Sequence, residues 1–194
     1  MELLREATAM NVQKDYFITP DEYELLEPTY DCKTEYTNGE TLLSSNASDK
    51  HGDIIVNLSS EIRNHLKDSQ CKVKTEGSEV IFDEKEKYKF KPDVFIVCKN
   101  DINAMKGESY TTPPKVIFEV VSPDKDAIKR DKQFNYNIYE AYGVLEYNII
   151  EQNGYIYQHA LIDGYYQIVN VLKNNDEYIS TVFPDLKINL KDIF

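Results

Sequence analysis

The stretch Val116-Ile117-Phe118-Glu119-Val120-Val121 constrains this chain more than any other part of it. A near-continuous apolar run of that length suits a central strand buried on both faces of a sheet. Glu119 is the anomaly within it. A charged side chain placed inside such a strand costs roughly several kcal/mol unless it is ion-paired or coordinates a metal, so Glu119 needs a partner.

The flanking pattern supplies the rest of a mixed α and β architecture. Thr19-Pro20-Asp21-Glu22 has the form of a helix N-cap, an N1 proline and an acidic first turn, and predicts a short helix to about Glu27. Thr34 to Thr37 and Thr41 to Leu43 flank Asn38-Gly39, a strong two-residue hairpin signal. From His51 to Leu66, Ile54, Ile55, Leu58, Ile62 and Leu66 recur at helical spacing behind Ser48 or Asp49 as N-cap. Extended runs follow at Lys72 to Thr75, Glu79 to Phe82 and Phe90 to Val97, with Pro92 marking the last as an edge or an end. Residues 100 to 114 read as a polar loop, and Asp126 to Tyr142 as a helix. Strands are expected at Val144 to Ile150, Gly154 to Leu161 and Tyr165 to Val171, with an extended tail from Tyr178 to Phe194.

A chain of 194 residues can bury one sizeable core. Residues 1–17 read as an N-terminal extension and 18–194 as a single domain. Cys32, Cys71 and Cys98 are odd in number, widely spaced and without a CxxC pair, so neither a disulfide framework nor a zinc knuckle is indicated and a cytoplasmic location is expected. No stretch approaches the roughly 20 apolar residues needed to span a bilayer. The net charge of −12 disfavours tight, non-specific coating of nucleic acid. It leaves room for an acidic nuclease, because a bound divalent cation reverses the local sign of a carboxylate-lined site.

Asp93, next to Pro92 at a second strand, is a candidate partner for Glu119. Two carboxylates from neighbouring strands can hold Mg²⁺ or Mn²⁺ and leave water positions for a nucleophile and for phosphate oxygens. Taken alone, Asp93 reads sooner as a turn or cap residue after proline than as a metal ligand, and Glu119 also reads as half of a structural ion pair.

The ordered set Ile18-Thr19-Pro20-Asp21-Glu22-Tyr23, Glu35-Tyr36-Thr37-Asn38-Gly39-Glu40, His51, Lys91-Pro92-Asp93-Val94, Ile117 to Pro123, Asp131, Tyr139, Gly143 to Tyr147 and Phe183-Pro184-Asp185-Leu186 resembles the Uma-type family of bacterial restriction-endonuclease-like proteins. The resemblance covers residues 17 to 194. It implies a PD-(D/E)XK core, a mixed β-sheet flanked by helices with extra antiparallel strands at the C-terminus, and Asp93 and Glu119 as the metal-binding acids. The lysine that usually follows the glutamate by two residues is Val121 here. The family's substitute, four residues after an aspartate matching Asp131, is Asn135, which leaves Lys132 or Lys129 to assist the nucleophile. Glu40 would orient metal-bound water, and His51 would act as acid or base or contact phosphate near a helix N-terminus. The implied activity is Mg²⁺- or Mn²⁺-dependent hydrolysis of DNA. The alternative is a catalytically degenerate nuclease-fold domain that binds or assembles, as a homodimer through its tyrosine-rich C-terminal strands.

Overall fold

Thr19 caps helix α1 (Pro20–Leu26) reciprocally: its hydroxyl accepts the Glu22 N–H while the Glu22 carboxylate takes the Thr19 N–H, as its sequence predicts. The computed structural model describes residues 17–44, 48–83, 85–102, 104–121 and 134–194. Of the expected N-terminal extension only Phe17 lies within them, and of the expected helix over 126–142 only its last part does.

Two six-stranded sheets organise the described residues. The smaller strands form the order β2 (Glu40–Leu43), β1 (Thr34–Thr37), β5 (Tyr88–Phe90), β4 (Val80–Ile81), β8 (Ser109–Tyr110), β7 (Met105–Lys106). The longer ones form β12 (Tyr165–Leu172), β11 (Tyr155–Ile162), β10 (Glu146–Glu151), β9 (Val116–Val121), β6 (Val94–Cys98), β3 (Cys71–Thr75). Strands β13 (Glu177–Ile179) and β14 (Lys187–Asn189) pair separately. In the long sheet β9 and β10 run parallel and the other neighbours antiparallel, so the sheet is mixed. β9 is central and every residue of it is buried. The Asn38-Gly39 turn adopts positive φ at both residues, as a tight hairpin requires.

Both faces of the long sheet are covered. Helix α2 (Asp49–His65), capped by Ser48, lays Ile54, Leu58 and Ile62 against Val94, Ile96, Phe118 and Val120, together with Tyr178, Leu186 and Leu190 of the C-terminal segment. The opposite face packs Phe95, Val97, Ile117 and Val121 against Tyr139 of helix α4 (Tyr136–Ala141) and against Val80, Phe82 and Phe90 of the short sheet.

Three expectations change. Phe90 to Val97 is not one strand: Lys91-Pro92-Asp93 separates β5 from β6, which belong to different sheets. Proline cannot donate to a ladder, and here it marks the point where the chain leaves one sheet for the other. Residues 100 to 114 are not simply loop, since helix α3 (Lys99–Ile102) and the β7–β8 hairpin lie there. Cys71 and Cys98 form a disulfide, contrary to the reading from their spacing. They are direct partners in the β3–β6 register, with Cα atoms 3.9 Å apart, a proximity that sequence separation conceals. No helix of the described residues is long and apolar enough to cross a membrane.

Candidate metal centre

The break at Pro92 builds the site. In register, Val94 of β6 stands between Phe118 of β9 and Thr75 of β3. One step past these ladder ends, the same register sets Asp93 opposite Glu119 on one side and opposite Glu76 on the other. Three carboxylates therefore form a row across three neighbouring strands.

Asp93 and Glu119 lock reciprocally where the ladder stops. The Asp93 N–H donates to Glu119 Oε2 at 3.1 Å, and the Val120 N–H donates to Asp93 Oδ2 at 2.8 Å. Both acids are buried, Asp93 at 4% exposure and Glu119 at 3%. Glu119 lies on the β9 face shared with Ile117 and Val121, and its Oε1 accepts the Tyr139 hydroxyl at 2.8 Å. Burial, with the Glu119 charge beside it, pushes the Tyr139 hydroxyl pKa well up, so it serves as a neutral donor.

The Asp93 carboxylate has two further neighbours. Lys33 Nζ, just before β1, donates to Oδ1 at 2.8 Å, and His51 Nε2, in the first turn of α2, lies 3.5 Å from Oδ2. Burial alone would raise the Asp93 pKa, but the Lys33 ammonium and the His51 hydrogen bond outweigh it and hold the carboxyl well below the usual range. For Lys33, burial opposes the charge, and the combined negative potential of Asp93, Glu35 and Glu119 overcomes it and raises the ammonium's pKa. His51 follows the same logic, with Asp93 raising its pKa against burial. The Lys33 side chain as a whole is about one-fifth exposed (22%), while its ammonium is buried against Asp93.

A ring nitrogen of His51 and carboxylate oxygens of Glu76 and Asp93 all lie within 4.8 Å of one another. One imidazole nitrogen and two carboxylates form a donor set suited to a divalent cation, so the residues present fit a metal. Ser48 fixes the position of His51 by accepting its N–H, and the same hydroxyl donates to Gln152 Oε1. Gln152 in turn donates to the Val121 carbonyl. The N-terminus of α2 is thereby pinned to the C-terminal ends of β9 and β10, and its dipole favours negative charge at the site.

The structure thus brings together Asp93, Glu119 and His51. It does not bring Glu40 to them: Glu40 is exposed at the tip of the β1–β2 hairpin, paired with Thr37. Lys132, Lys129 and Asp131 lie outside the described residues. Asn135, at the position of the family's substitute lysine, is buried, and its Oδ1 has no hydrogen-bond partner among the described residues. Sequence reasoning missed Lys33 and Glu76. Neither carries a local signal, because only the strand register and the hairpin's docking put them beside Asp93.

Comparison with known proteins fits this arrangement. Residues 20–191 match the model of the Uma2 family, described as "Putative restriction endonuclease". The chain belongs to the Uma2 family. A crystal structure titled as that of a "putative nuclease belonging to DUF820" from Anabaena variabilis superposes with a TM-score of 0.73, at 20% identity, over 91% of this chain and 97% of that one. This likeness establishes the restriction-endonuclease-like fold. An uncharacterized protein of Synechocystis, slr1290, is 29% identical over 117 residues, spanning 60% of this chain and 60% of its own length. In this Uma2 protein the two acids expected from the PD-(D/E)XK pattern are neighbours, and among the described residues Lys33, just before β1, brings an ammonium to Asp93.

Proposed function

We propose that this Uma2 protein is a divalent-metal-dependent endonuclease that hydrolyses phosphodiester bonds of DNA. The observation that carries the reading is the juxtaposition of buried Asp93 and Glu119 at the break between β5 and β6, with a lysine ammonium 2.8 Å from Asp93. Asp93 and Glu119 are the carboxylate pair on which the cation site is built, and Mg²⁺ or Mn²⁺ is the ion. When bound, the cation polarises a phosphate oxygen and lowers the pKa of a coordinated water.

The chain's own residues do the remainder. Asp93 is kept ionised at neutral pH by Lys33, so it is ready to act as a ligand. Glu119 holds the backbone of Asp93 through its N–H and is itself fixed by Tyr139. Water forms the new phosphorus–oxygen bond and loses a proton, the bond to the departing sugar oxygen breaks, and that oxygen takes up a proton. Negative charge grows on the phosphate oxygens as this happens, and the Lys33 ammonium is placed to oppose it. Lys33 thereby fills the role of the lysine missing at Val121 and Asn135. The domain responsible spans residues 18–194. A second copy is its partner, through edge strand β12, where Tyr165, Ile168 and Val171 are exposed on a strand with no charged residue.

Cleavage of supercoiled plasmid and of single-stranded oligonucleotide in Mg²⁺ or Mn²⁺ tests the reading. Wild-type protein is expected to cut, and Asp93→Asn and Glu119→Gln to lose at least about 100-fold of the rate, on the scale of removing a metal ligand or its support. A folded wild type that cuts nothing with either ion would leave the nuclease-fold binding module in its place.

A further inference from the structure

The cation site has more donors than the two acids, and they lie to one side. Glu119 is spent on the α4 face, against Tyr139 and the Asp93 N–H. The α2 face holds Asp93 Oδ2, the imidazole of His51 and, from the turn that leaves β3, the carboxylate of Glu76. Glu76 is exposed, and no hydrogen bond or ion pair among the described residues engages it. It directly follows Thr75, which pairs with Val94, so it stands one step past the end of the ladder, beside Asp93. His51 is buried and held by the Ser48 cap, so its ring is delivered to Asp93 by the start of a 17-residue helix.

We infer that His51, Glu76 and Asp93 form a nitrogen-and-oxygen site for a first-row transition dication on the α2 side of the sheet end, selective against Mg²⁺. The inference rests on the metal-dependent reading above and adds to it the ligands, the side and the class of ion. The selectivity follows from donor chemistry. Mg²⁺ is hard, keeps its waters and favours oxygen ligands, whereas an imidazole nitrogen strengthens binding to manganese and the later first-row ions. The row of carboxylates at the strand ends would otherwise accept either ion alike.

Titration calorimetry with Mn²⁺ and with Mg²⁺, on the full chain after chelator treatment, tests this without any activity measurement. The wild type should bind one Mn²⁺ at least about tenfold more tightly than Mg²⁺. Glu76→Gln should weaken Mn²⁺ at least about tenfold while leaving the metal-free melting temperature within about 2 °C, since an exposed, unengaged carboxylate contributes little to folding. His51→Gln should erase most of the Mn²⁺ preference over Mg²⁺. Equal binding of the two ions by the wild type, or Mn²⁺ binding unchanged in Glu76→Gln and His51→Gln but lost in Asp93→Asn and Glu119→Gln, would overturn the inference and place the ion on the Glu119 side, with the metal-dependent reading intact. No binding of either ion to a folded wild type would remove both.

Discussion

Replacing Lys33 by methionine keeps an unbranched side chain of similar length and deletes one charge 2.8 Å from a carboxylate that is 4% exposed. Asp93 would retain the Val120 N–H and His51 but lose the ammonium at 2.8 Å, its nearest full countercharge among the described residues. Breaking a buried pair by removing one partner costs about 3–5 kcal/mol. Lys33 is 22% exposed, which screens part of the attraction, so the lower end applies, at about 3 kcal/mol. For a chain of this size each kcal/mol moves the melting temperature by about 2–4 °C, so a fall of about 6–12 °C is expected in chelator. A cation at Asp93 replaces the ammonium as countercharge. Mn²⁺ should therefore stabilise the variant more than it stabilises the wild type, recovering about 2.7 kcal/mol at a hundredfold excess over its dissociation constant. On the proposed nuclease reading, in which Lys33 opposes the charge growing on the phosphate, DNA cleavage by the variant should be lost even at saturating Mn²⁺. Differential scanning calorimetry with and without Mn²⁺ reads the stability terms. A variant that melts within 2 °C of the wild type in chelator, or that gains no more from Mn²⁺ than the wild type does, would refute the view that Lys33 and the cation share the charge of Asp93.

Two further tests address the frame around the site. Glu146, fully buried, accepts at Oε2 from the N–H groups of Thr181 and Val182 and the hydroxyls of Ser180 and Thr181, and at Oε1 from Tyr178, Asn148 and Gln158. Glu146→Gln leaves donors facing donors on one side, and two stranded backbone N–H groups at about 1–3 kcal/mol each predict a loss of about 3 kcal/mol in urea unfolding with the slope unchanged; a loss below 1 kcal/mol would show that the carboxylate does not clamp the C-terminal segment. The Cys71–Cys98 bridge closes a loop across 27 residues, which in the chain-entropy account contributes about 3–4 kcal/mol, so Cys98→Ser should melt about 6–16 °C lower than the wild type under non-reducing conditions and no lower under strong reductant.

Local chemistry was legible; register was not. The Thr19 cap, the Asn38-Gly39 turn, the period of α2 and the apolar run of β9 each depend on a few consecutive residues, and each forms where its sequence predicts. Asp93 and Glu119 were identifiable because a buried-strand carboxylate is costly and because the ordered motifs resemble those of a known family. Lys33, Glu76 and the Cys71–Cys98 pair depend instead on which residues fall opposite one another across strands far apart in the chain. The break at Pro92 belongs to both groups: the proline announced an end, but not that the chain would pass to a second sheet there.

That passage explains why chemistry collects at this point of the fold. Inside a ladder, backbone N–H and C=O groups are committed to neighbouring strands and side chains are committed to one face or the other. At Asp93 the ladder has just stopped, so a carboxylate replaces a missing backbone acceptor for Val120 while its other oxygen is free to meet Lys33. Glu119 opposite does the same for the Asp93 N–H. The two acids thus fulfil a structural need created by the strand ends, while Lys33 and His51 hold Asp93 ionised. A neutral isostere such as Asn at position 93 can still accept the Val120 N–H but cannot balance Lys33, which separates the fold's requirement from the cation's.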